Sequence, residues 1–369
     1  MSDDAGARPV WAEIDVGAIT HNIGLIRQCA GRPVKLIVPV KANAYGHGAV
    51  VVARHLEAIG VDAVATANFH EAVELRAAGV QMPIVMYASH VPEATSRLLE
   101  YGLTPTITNR VGLDAAAAAS KGGPIDVHVE IDAGLGRLGV RFDEASDFID
   151  AVVAEPRLRL EGLYTHVPFS DAEGACWASG RVRAFGELVH HIEARHGLRI
   201  PYTQACASAA LMESVPDDLT TVAPGHLTYG MSPLDAVDAE ALGFRPALSA
   251  LRARVIHLGR RETGDVLATG VAPRPVRTAV LLLGIDNGYD FAHGASVLLG
   301  GRRCPVVSVT AEYTVVDITE ANTTTIGDVA TIIGRDTDEV ISVGEVASLR
   351  CRSAGYWMMG LRRVPLTPM

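Results

Sequence analysis

The first part of the chain alternates short apolar runs with amphipathic stretches of helical period. The apolar runs predict eight buried β-strands: Leu36–Val40, Val64–Ala67, Pro83–Ala88, Thr104–Thr108, Asp126–Asp132, Leu160–His166, Tyr202–Ser208 and Thr220–Pro224. The stretches between them predict helices at Ala18–Ala30, Val50–Ile59, His70–Ala78, Val91–Tyr101, Asp143–Ala154 and Arg181–His196. Strands that alternate with helices predict an α/β fold, here a (β/α)8 TIM-like barrel. A doubly wound sheet is the alternative that the pattern leaves open.

The pattern changes after Pro246. Short runs rich in β-branched residues follow one another there without helical stretches between them, which predicts a C-terminal all-β domain. Its predicted strands are Leu251–Leu258, Val276–Gly284, Ser296–Leu299, Pro305–Thr310, Tyr313–Asp317 and Val329–Ile333. The pair Gly300-Gly301 predicts a tight hairpin turn between two of them. We therefore expect two domains, residues 1–245 and residues 246–369.

Composition narrows the classes of function. No apolar run is long enough to span a membrane, and the acidic start Met1–Asp4 lacks the basic and apolar regions of a signal peptide. The net charge of −10 argues against a general nucleic-acid binder. The five cysteines are scattered without zinc or disulfide spacing, which favours a reducing cytoplasm. The chain is thus expected to be a cytoplasmic protein without a metal site.

Lys41 stands at the C-terminal end of the predicted strand Leu36–Val40. Partial desolvation lowers the pKa of an amine and favours Schiff-base formation with an aldehyde, although an ordinary strand-end lysine could also extend to solvent. The segment Val40–Gly48 reads Val-Lys-Ala-Asn-Ala-Tyr-Gly-His-Gly. It resembles the pyridoxal-phosphate lysine motif of alanine racemases, which are fold-type III enzymes. The resemblance implies that Lys41 carries the cofactor and that Tyr45 contacts its phosphate.

The glycine-rich segment Asp132–Gly139 carries Arg137, whose guanidinium is a planar, permanently charged fork. A tight turn with a surface arginine is the alternative interpretation. The segment resembles the racemase motif Asp-Thr-Gly-Met-Gly-Arg-Leu-Gly, which implies that Arg137 lies near the cofactor hydroxyl and the substrate carboxylate. Many of these racemases hold that arginine with a carbamylated lysine, and Glu130 occupies the matching position here. We hypothesise that its carboxylate supplies the same negative charge, and an uncompensated rearrangement is the equal alternative.

Further segments carry the same resemblance. Gly162–His166 is similar to the family's Gly-Xaa-Xaa-Thr-His, which implies that His166 lies beside the cofactor ring. Cys206–Ala210 and Val222–Gly230 are small-residue turns, whose N–H groups and hydroxyl suit a dianion. The resemblance assigns the cofactor phosphate to Ser208, to the backbone of Gly225 and His226, and to Arg362.

Two positions depart from the family pattern. Ala223 replaces the arginine that contacts the pyridine nitrogen, so the nitrogen loses its usual partner and must meet water, a neutral donor or an acid. A protonated ring would be a stronger electron sink. Ile285 replaces the catalytic tyrosine that the partner subunit supplies, and its side chain cannot transfer a proton. We assign the second acid–base role to Tyr289 or Asp286, with His293 and Tyr313 as further candidates.

The resemblance implies a pyridoxal-phosphate-dependent amino-acid racemase or epimerase with an altered second base. It also implies a symmetric head-to-tail homodimer, in which the C-terminal domain completes the active site of the partner subunit. Two alternatives remain at this point. One is a lyase-type enzyme that decarboxylates, eliminates or cleaves a retro-aldol bond with a single base, and the other is a non-catalytic cofactor-binding protein. The altered segment Thr310–Tyr313 warns against assuming that alanine is the substrate.

Overall fold

The computed structural model describes residues 8–87, 91–234, 239–267, 270–272, 274–290, 292–361 and 364–369. The chain divides into two compact units. One unit comprises Ala18–Arg245, and the other joins the N-terminal segment up to Gly17 with Pro246–Met369. None of the helices in the described ranges combines the length and the apolar character needed to cross a bilayer.

The unit Ala18–Arg245 is built around a closed ring of parallel strands. Eight strands form the ring within the described residues: Lys35–Pro39, Ala63–Thr66, Ile84–Met86, Thr104–Ile107, Ile125–Asp132, Leu158–Tyr164, Tyr202–Ala207 and Thr221–Ala223. The ring closes where Thr221 and Val222 pair with Lys35 and Leu36. The predicted (β/α)8 barrel is confirmed, and closure excludes the open doubly wound sheet.

Helices cover the outside of the barrel strands. Their bounds are Val16–Cys29, Ala49–Ala58, Phe69–Ala77, Thr95–Glu100, Arg110–Ala119, Ala145–Ala154 and Ala172–His196. Each buries one face, as in Ala49–Ala58, where Ala49, Val52, Ala53 and Leu56 are buried at helical spacing. Short helical turns at Lys41–Tyr45, Ser208–Met212 and Gly225–Thr228 follow barrel strands directly. They place side chains at the C-terminal rim, where barrel enzymes build their active sites.

The second unit contains an antiparallel β-barrel. Its strands follow the ring order Leu248–Arg261, Val276–Leu281, Thr314–Asp317, Arg302–Val309, Ser296–Leu299 and Val329–Asp336, and the last pairs with the first. Gly300 and Gly301, at φ of 58° and 74°, form the predicted hairpin turn between Leu299 and Arg302. Two short helices, Val343–Ser348 and Ala354–Met358, follow the barrel strands. The C-terminal all-β domain is confirmed.

The N-terminal strand differs from the predicted domain boundary. Val10–Ile14 pairs antiparallel with Leu248–Arg261 and parallel with Leu366–Pro368. Its alternate residues Val10, Ala12 and Ile14 are buried. This strand therefore belongs to the β-domain, although the prediction assigned residues 1–245 to the barrel. The reason is physical, since a strand with one apolar face is stabilised by pairing along the edge of an existing sheet.

Candidate active site

A cavity of about 400 Å³ lies at the C-terminal rim of the (β/α)8 barrel. The lining comes from the ends of several strands, which bring residues far apart in sequence into one site. It contains nine of the residues that the sequence singled out: Lys41, Tyr45, Glu130, Arg137, His166, Ser208, Ala223, Gly225 and His226. The geometry thus joins the predicted lysine, arginine, ring contact and phosphate-binding segments.

Lys41 opens a left-handed turn. The four residues Ala42–Tyr45 have φ values of 53°, 55°, 53° and 53°, a conformation that costs a non-glycine residue roughly 1–2 kcal/mol each. The side chain and backbone of Asn43 stabilise the turn. Asn43 Oδ1 accepts a hydrogen bond from the Ala49 N–H at 2.9 Å, and the Asn43 N–H donates to Glu71 Oε1 at 2.7 Å. The reversal of hand directs both Lys41 and Tyr45 to the cavity.

The environment of Lys41 lowers the pKa of its amine. Burial is the largest cause, and the positive charge of Arg137 adds to it, while Glu130 opposes the shift. The Lys41 Nζ lies 5.9 Å from the centroid of the Tyr45 ring. A larger neutral fraction makes the amine a better nucleophile toward an aldehyde and a better proton acceptor.

The loop that carries Arg137 is held by a carboxylate. Asp132 Oδ1 accepts hydrogen bonds from the N–H groups of Gly134 at 2.8 Å and Gly136 at 3.1 Å. Gly139, at φ of 110°, ends the loop so close to the strand that a Cβ there would lie 2.6 Å from the Asp132 nitrogen. The glycines therefore allow a tight reversal that brings Arg137 to the cavity.

Glu130 is the buried counter-charge of Arg137. Its side chain is 5% exposed, and Oε1 lies 4.0 Å from Nη2 of Arg137. Oε2 accepts a hydrogen bond from the Tyr164 hydroxyl at 3.1 Å. Burial raises the pKa of the Glu130 carboxyl, whereas Tyr164 and Arg137 work in the opposite direction. The position is compatible with the hypothesis that this carboxylate orients the arginine.

Two histidines line the cavity in neutral form at pH 7. The pKa of His166 is lowered to about 4 by burial and by the positive charges of Arg137 and Lys41. The pKa of His226 is also lowered to about 4, first by burial and then by Lys41. A neutral imidazole beside an aromatic ligand offers a flat contact surface without adding charge.

The remaining end of the cavity suits a phosphate. A Cβ on Gly225 would lie 2.6 Å from the Tyr45 hydroxyl, so glycine is needed for Tyr45 to approach. Ser208 Oγ accepts from the Leu227 N–H at 3.2 Å and keeps its own proton to donate. The first N–H groups of a helix have no intrahelical acceptor, which leaves those of Gly225 and His226 for an anion.

One polar atom in the lining supports a bound polar group. Thr165 Oγ1 is buried and has no hydrogen-bond partner within the part of the chain that the structure describes, and Thr165 lines the cavity. A buried hydroxyl without a partner is unfavourable by about 1–3 kcal/mol, so a polar ligand would stabilise it. Together with the amine of Lys41 and the anion-binding turn, the lining fits pyridoxal phosphate.

Two of the described residues that were predicted for the site, Tyr289 and Asp286, do not line this cavity. Tyr289 is 1% exposed in the β-domain, with the Arg350 guanidinium 5.2 Å from its ring centroid. Asp286 lies in the helical turn Ile285–Asn287 of the same domain. Arg362 is outside the described residues. The catalytic and phosphate-binding roles assigned to these three stay predictions.

The sequence reasoning missed Gln204 and Tyr164, which both line the cavity. Gln204 is 5% exposed within the strand Tyr202–Ala207. A primary amide inside a strand predicted to be buried was the available signal, because buried polar groups need partners. Tyr164 belongs to the motif Gly162–His166, but its bond to Glu130 depends on two strands lying side by side.

Comparisons with known protein sequences all find alanine racemases. The family model described as "Alanine racemase, N-terminal domain" matches residues 14–233, and "Alanine racemase, C-terminal domain" matches residues 248–363. An alanine racemase from Desulforamulus reducens is 34% identical over 360 residues, covering 95% of this chain and 94% of the relative. One from Methanococcus maripaludis is 31% identical over 350 residues, covering 92% of each.

Solved structures agree with the sequence comparisons. The alanine racemase of Clostridium difficile 630 superposes with a TM-score of 0.90 at 26% identity, covering 98% of this chain and 96% of that one. The alanine racemase of Bacillus anthracis with bound L-Ala-P gives a TM-score of 0.85 at 27% identity, covering 98% and 95%. The likeness extends over both domains.

Proposed function

The chain belongs to the alanine racemase family, and we propose that its own residues Lys41, Arg137 and His166 form the catalytic centre of the barrel. It is a pyridoxal-phosphate-dependent amino-acid racemase, an isomerase. The lyase and non-catalytic alternatives are not favoured by these relatives. The observation that carries the proposal is the shared cavity in which these three residues meet the phosphate-binding turns.

Different residues of the cavity would bind different parts of the cofactor. When bound, pyridoxal phosphate supplies an electron sink for the electron pair left at Cα after a proton is lost. Ser208, Tyr45 and the N–H groups of Gly225 and His226 would hold the phosphate end, and His166 would lie beside the ring. Lys41 would hold the aldehyde carbon. We infer an additional phosphate contact from Arg362.

Lys41 serves one face of the substrate. The Lys41 amine would accept the Cα proton of a bound amino acid on its own side and return it. The lowered pKa, caused by burial and by Arg137, keeps a fraction of the amine neutral for this purpose. The site therefore uses the same side chain as anchor and base.

Arg137 receives the substrate carboxylate. Its side chain is 55% exposed while its partner Glu130 is 5% exposed, so a second carboxylate can approach the free edge of the guanidinium. Glu130 limits the directions that the guanidinium can adopt. A small substrate is favoured, because the cavity of about 400 Å³ must also hold the cofactor.

The second face requires an acid from elsewhere, and we propose Tyr313 of a second copy of the chain. The N–H of Ile285 donates to Thr310 O at 3.1 Å, and that of Asp286 donates to Ala311 O at 2.9 Å. The tight turn Thr310–Tyr313 thus lies beside the position where relatives carry their catalytic tyrosine. Tyr313 is 42% exposed, and Ile285 is 56% exposed.

Tyr289 is less suited to the same role. It is 1% exposed and packed against Arg350, so its hydroxyl would need a rearrangement of the β-domain to reach a substrate. Asp286 stays a candidate because it follows Ile285 directly. The proposal implies a homodimer in which each β-domain supplies the acid of the other subunit, as the resemblance suggests.

We propose a cytoplasmic location. All five cysteines are unpaired: Cys29, Cys176, Cys206, Cys304 and Cys351. Three of them are exposed, which is typical of proteins in a reducing compartment.

The reaction is tested by incubating single enantiomers of small amino acids in deuterium oxide and separating the products by chirality. A racemase gives both enantiomers, with deuterium at Cα of the inverted product. Exchange with complete retention would show that Lys41 works without a second base. Tyr313→Phe should reduce inversion by about 10²-fold or more while exchange persists. Tyr356→Phe, at a tyrosine that is 60% exposed in the same domain, is the matched control and should leave both rates unchanged.

A further inference from the structure

The strand Tyr202–Ala207 carries a primary amide into the cavity beside a small side chain. Gln204 is paired in register with Thr221, two residues before Ala223 on the neighbouring strand. Gln204 is 5% exposed and Ala223 is 7% exposed, and both line the cavity. Ala223 contributes a methyl group and no charge. Among the cavity-lining residues of these two strands, Gln204 therefore carries the polar side chain that a ligand can contact.

The amide of Gln204 is incompletely satisfied by the protein. Its Nε2 donates to the Cys206 carbonyl oxygen at 3.2 Å. No side chain or backbone group among the described residues donates to its oxygen. The amide oxygen is therefore available to accept a hydrogen bond from a donor on a ligand in the cavity.

We propose that the amide oxygen of Gln204 accepts a hydrogen bond from the protonated ring nitrogen of pyridoxal phosphate. The inference rests on the proposed function, which places the aldehyde carbon at Lys41 and the phosphate at Ser208 and Gly225. The family resemblance implies in addition that the cofactor hydroxyl lies near Arg137. The ring nitrogen is the polar atom of the cofactor that those assignments leave without a partner. It becomes a donor when it is protonated, which is what the Gln204 oxygen requires.

The hydrogen bond from the ring nitrogen to Gln204 would change the electronic properties of the cofactor. A hydrogen bond to the charged form of a titratable group favours that form. A protonated ring withdraws electrons from Cα more strongly, so Gln204 would increase the acidity of the Cα proton that Lys41 removes. Gln204 then acts as a positioning and tuning residue for the cofactor.

Other ionisable groups face the same cavity: Lys41, Tyr45, Tyr87, Glu130, Arg137, Tyr164, His166 and His226. The pKa values of His166 and His226 are lowered to about 4 by burial, so these rings titrate well below neutral pH. A proton that leaves the cofactor ring near neutral pH can therefore be separated from the histidine titrations.

The test follows the ring nitrogen directly by ¹⁵N NMR of the holoenzyme loaded with ¹⁵N-labelled pyridoxal phosphate. The wild-type nitrogen should be protonated at pH 7. In Gln204→Met the midpoint of its titration should fall by about one pH unit, the equivalent of one buried hydrogen bond. In Gln204→Glu the midpoint should rise, because a carboxylate is a stronger acceptor. The same Gln→Met change at Gln28, exposed on the helix Val16–Cys29, is the control and should leave the midpoint unchanged.

A wild-type nitrogen that is unprotonated at pH 7, or a midpoint equal in wild type and Gln204→Met, would overturn the inference. If Gln204→Met does not fold, the isosteric variant Gln204→Glu tests the inference by itself. An unshifted midpoint of the ring-nitrogen titration in that variant would also overturn the inference. Failure of the underlying cofactor site has a different signature. In that case the wild-type protein would not bind the labelled cofactor through Lys41, and no titration would be observed at all.

Discussion

Two lysines on one barrel strand show how position determines chemistry. Lys35 begins the strand Lys35–Pro39, with its Nζ 4.1 Å from the Tyr202 ring centroid. Lys41 follows the other end, at the rim and beside the cavity. Lys41→Ala should abolish the borohydride-reducible absorbance of the bound cofactor, whereas Lys35→Ala should retain it. Absorbance spectra before and after reduction give the answer, and a Lys41→Ala protein with a reducible band would contradict the assignment.

The second prediction at the scale of single residues concerns Glu130. Glu130→Gln keeps the shape and the Tyr164 bond but removes the charge that faces Arg137. The KM for the substrate should rise by up to about fivefold, because an ion pair with one exposed partner contributes up to about 1 kcal/mol. The wild-type enzyme should also be indifferent to removal of bicarbonate, since a glutamate needs no carbamylation. Steady-state kinetics with and without bicarbonate check both statements, and an unchanged KM in Glu130→Gln would exclude a positioning role.

At the scale of elements, the left-handed turn Ala42–Tyr45 is a strained segment at the site. Ala42 is exposed at φ of 53°, a region that glycine adopts without a Cβ clash. Ala42→Gly should therefore increase the free energy of unfolding by up to about 1 kcal/mol. The same change at Ala118, exposed in the helix Arg110–Ala119, should decrease it by about 0.5–1 kcal/mol. Thermal unfolding of the two variants should show shifts of opposite sign.

The elements also show what sequence patterns can predict. Barrel strands such as Lys35–Pro39 and Tyr202–Ala207 were predicted within two residues at each end, because buried parallel strands read as apolar runs. The helix Ala172–His196 begins nine residues earlier than predicted. Its first part contains Gly174 and Gly180, which weaken the helical pattern of the sequence. Asp171 caps the N-terminus of the helix, because its Oδ1 accepts a hydrogen bond from the Gly174 N–H at 2.8 Å.

What the sequence left undetermined depends on contacts between distant segments. The strand Val10–Ile14 alternates buried and partly exposed residues. Its membership of the β-domain follows from pairing with residues more than 200 positions away. The left-handed turn after Lys41 has little signal in residue type, since Asn43 tolerates that conformation but Ala42 and Ala44 disfavour it. The cavity contacts of Gln204 require the register of neighbouring barrel strands. Lys41, Arg137 and His166 were found because each belongs to a local motif.

At the scale of the whole molecule, the proposed dimer predicts that two inactive variants can restore each other. Lys41→Ala removes the base of the barrel, and Tyr313→Phe removes the proposed acid of the β-domain. In a hybrid dimer one site lacks both groups, but the other combines an intact Lys41 from one subunit with an intact Tyr313 from its partner. Co-refolding or co-expressing the variants in equal amounts should yield about a quarter of the wild-type racemisation, because about half of the dimers are hybrids with one working site each. Chiral analysis of the products measures the recovery, and a mixture of Lys41→Ala with Lys41→Arg should recover nothing. If the hybrid mixture stays as inactive as its components, the acid for the second face does not come from Tyr313 of another subunit.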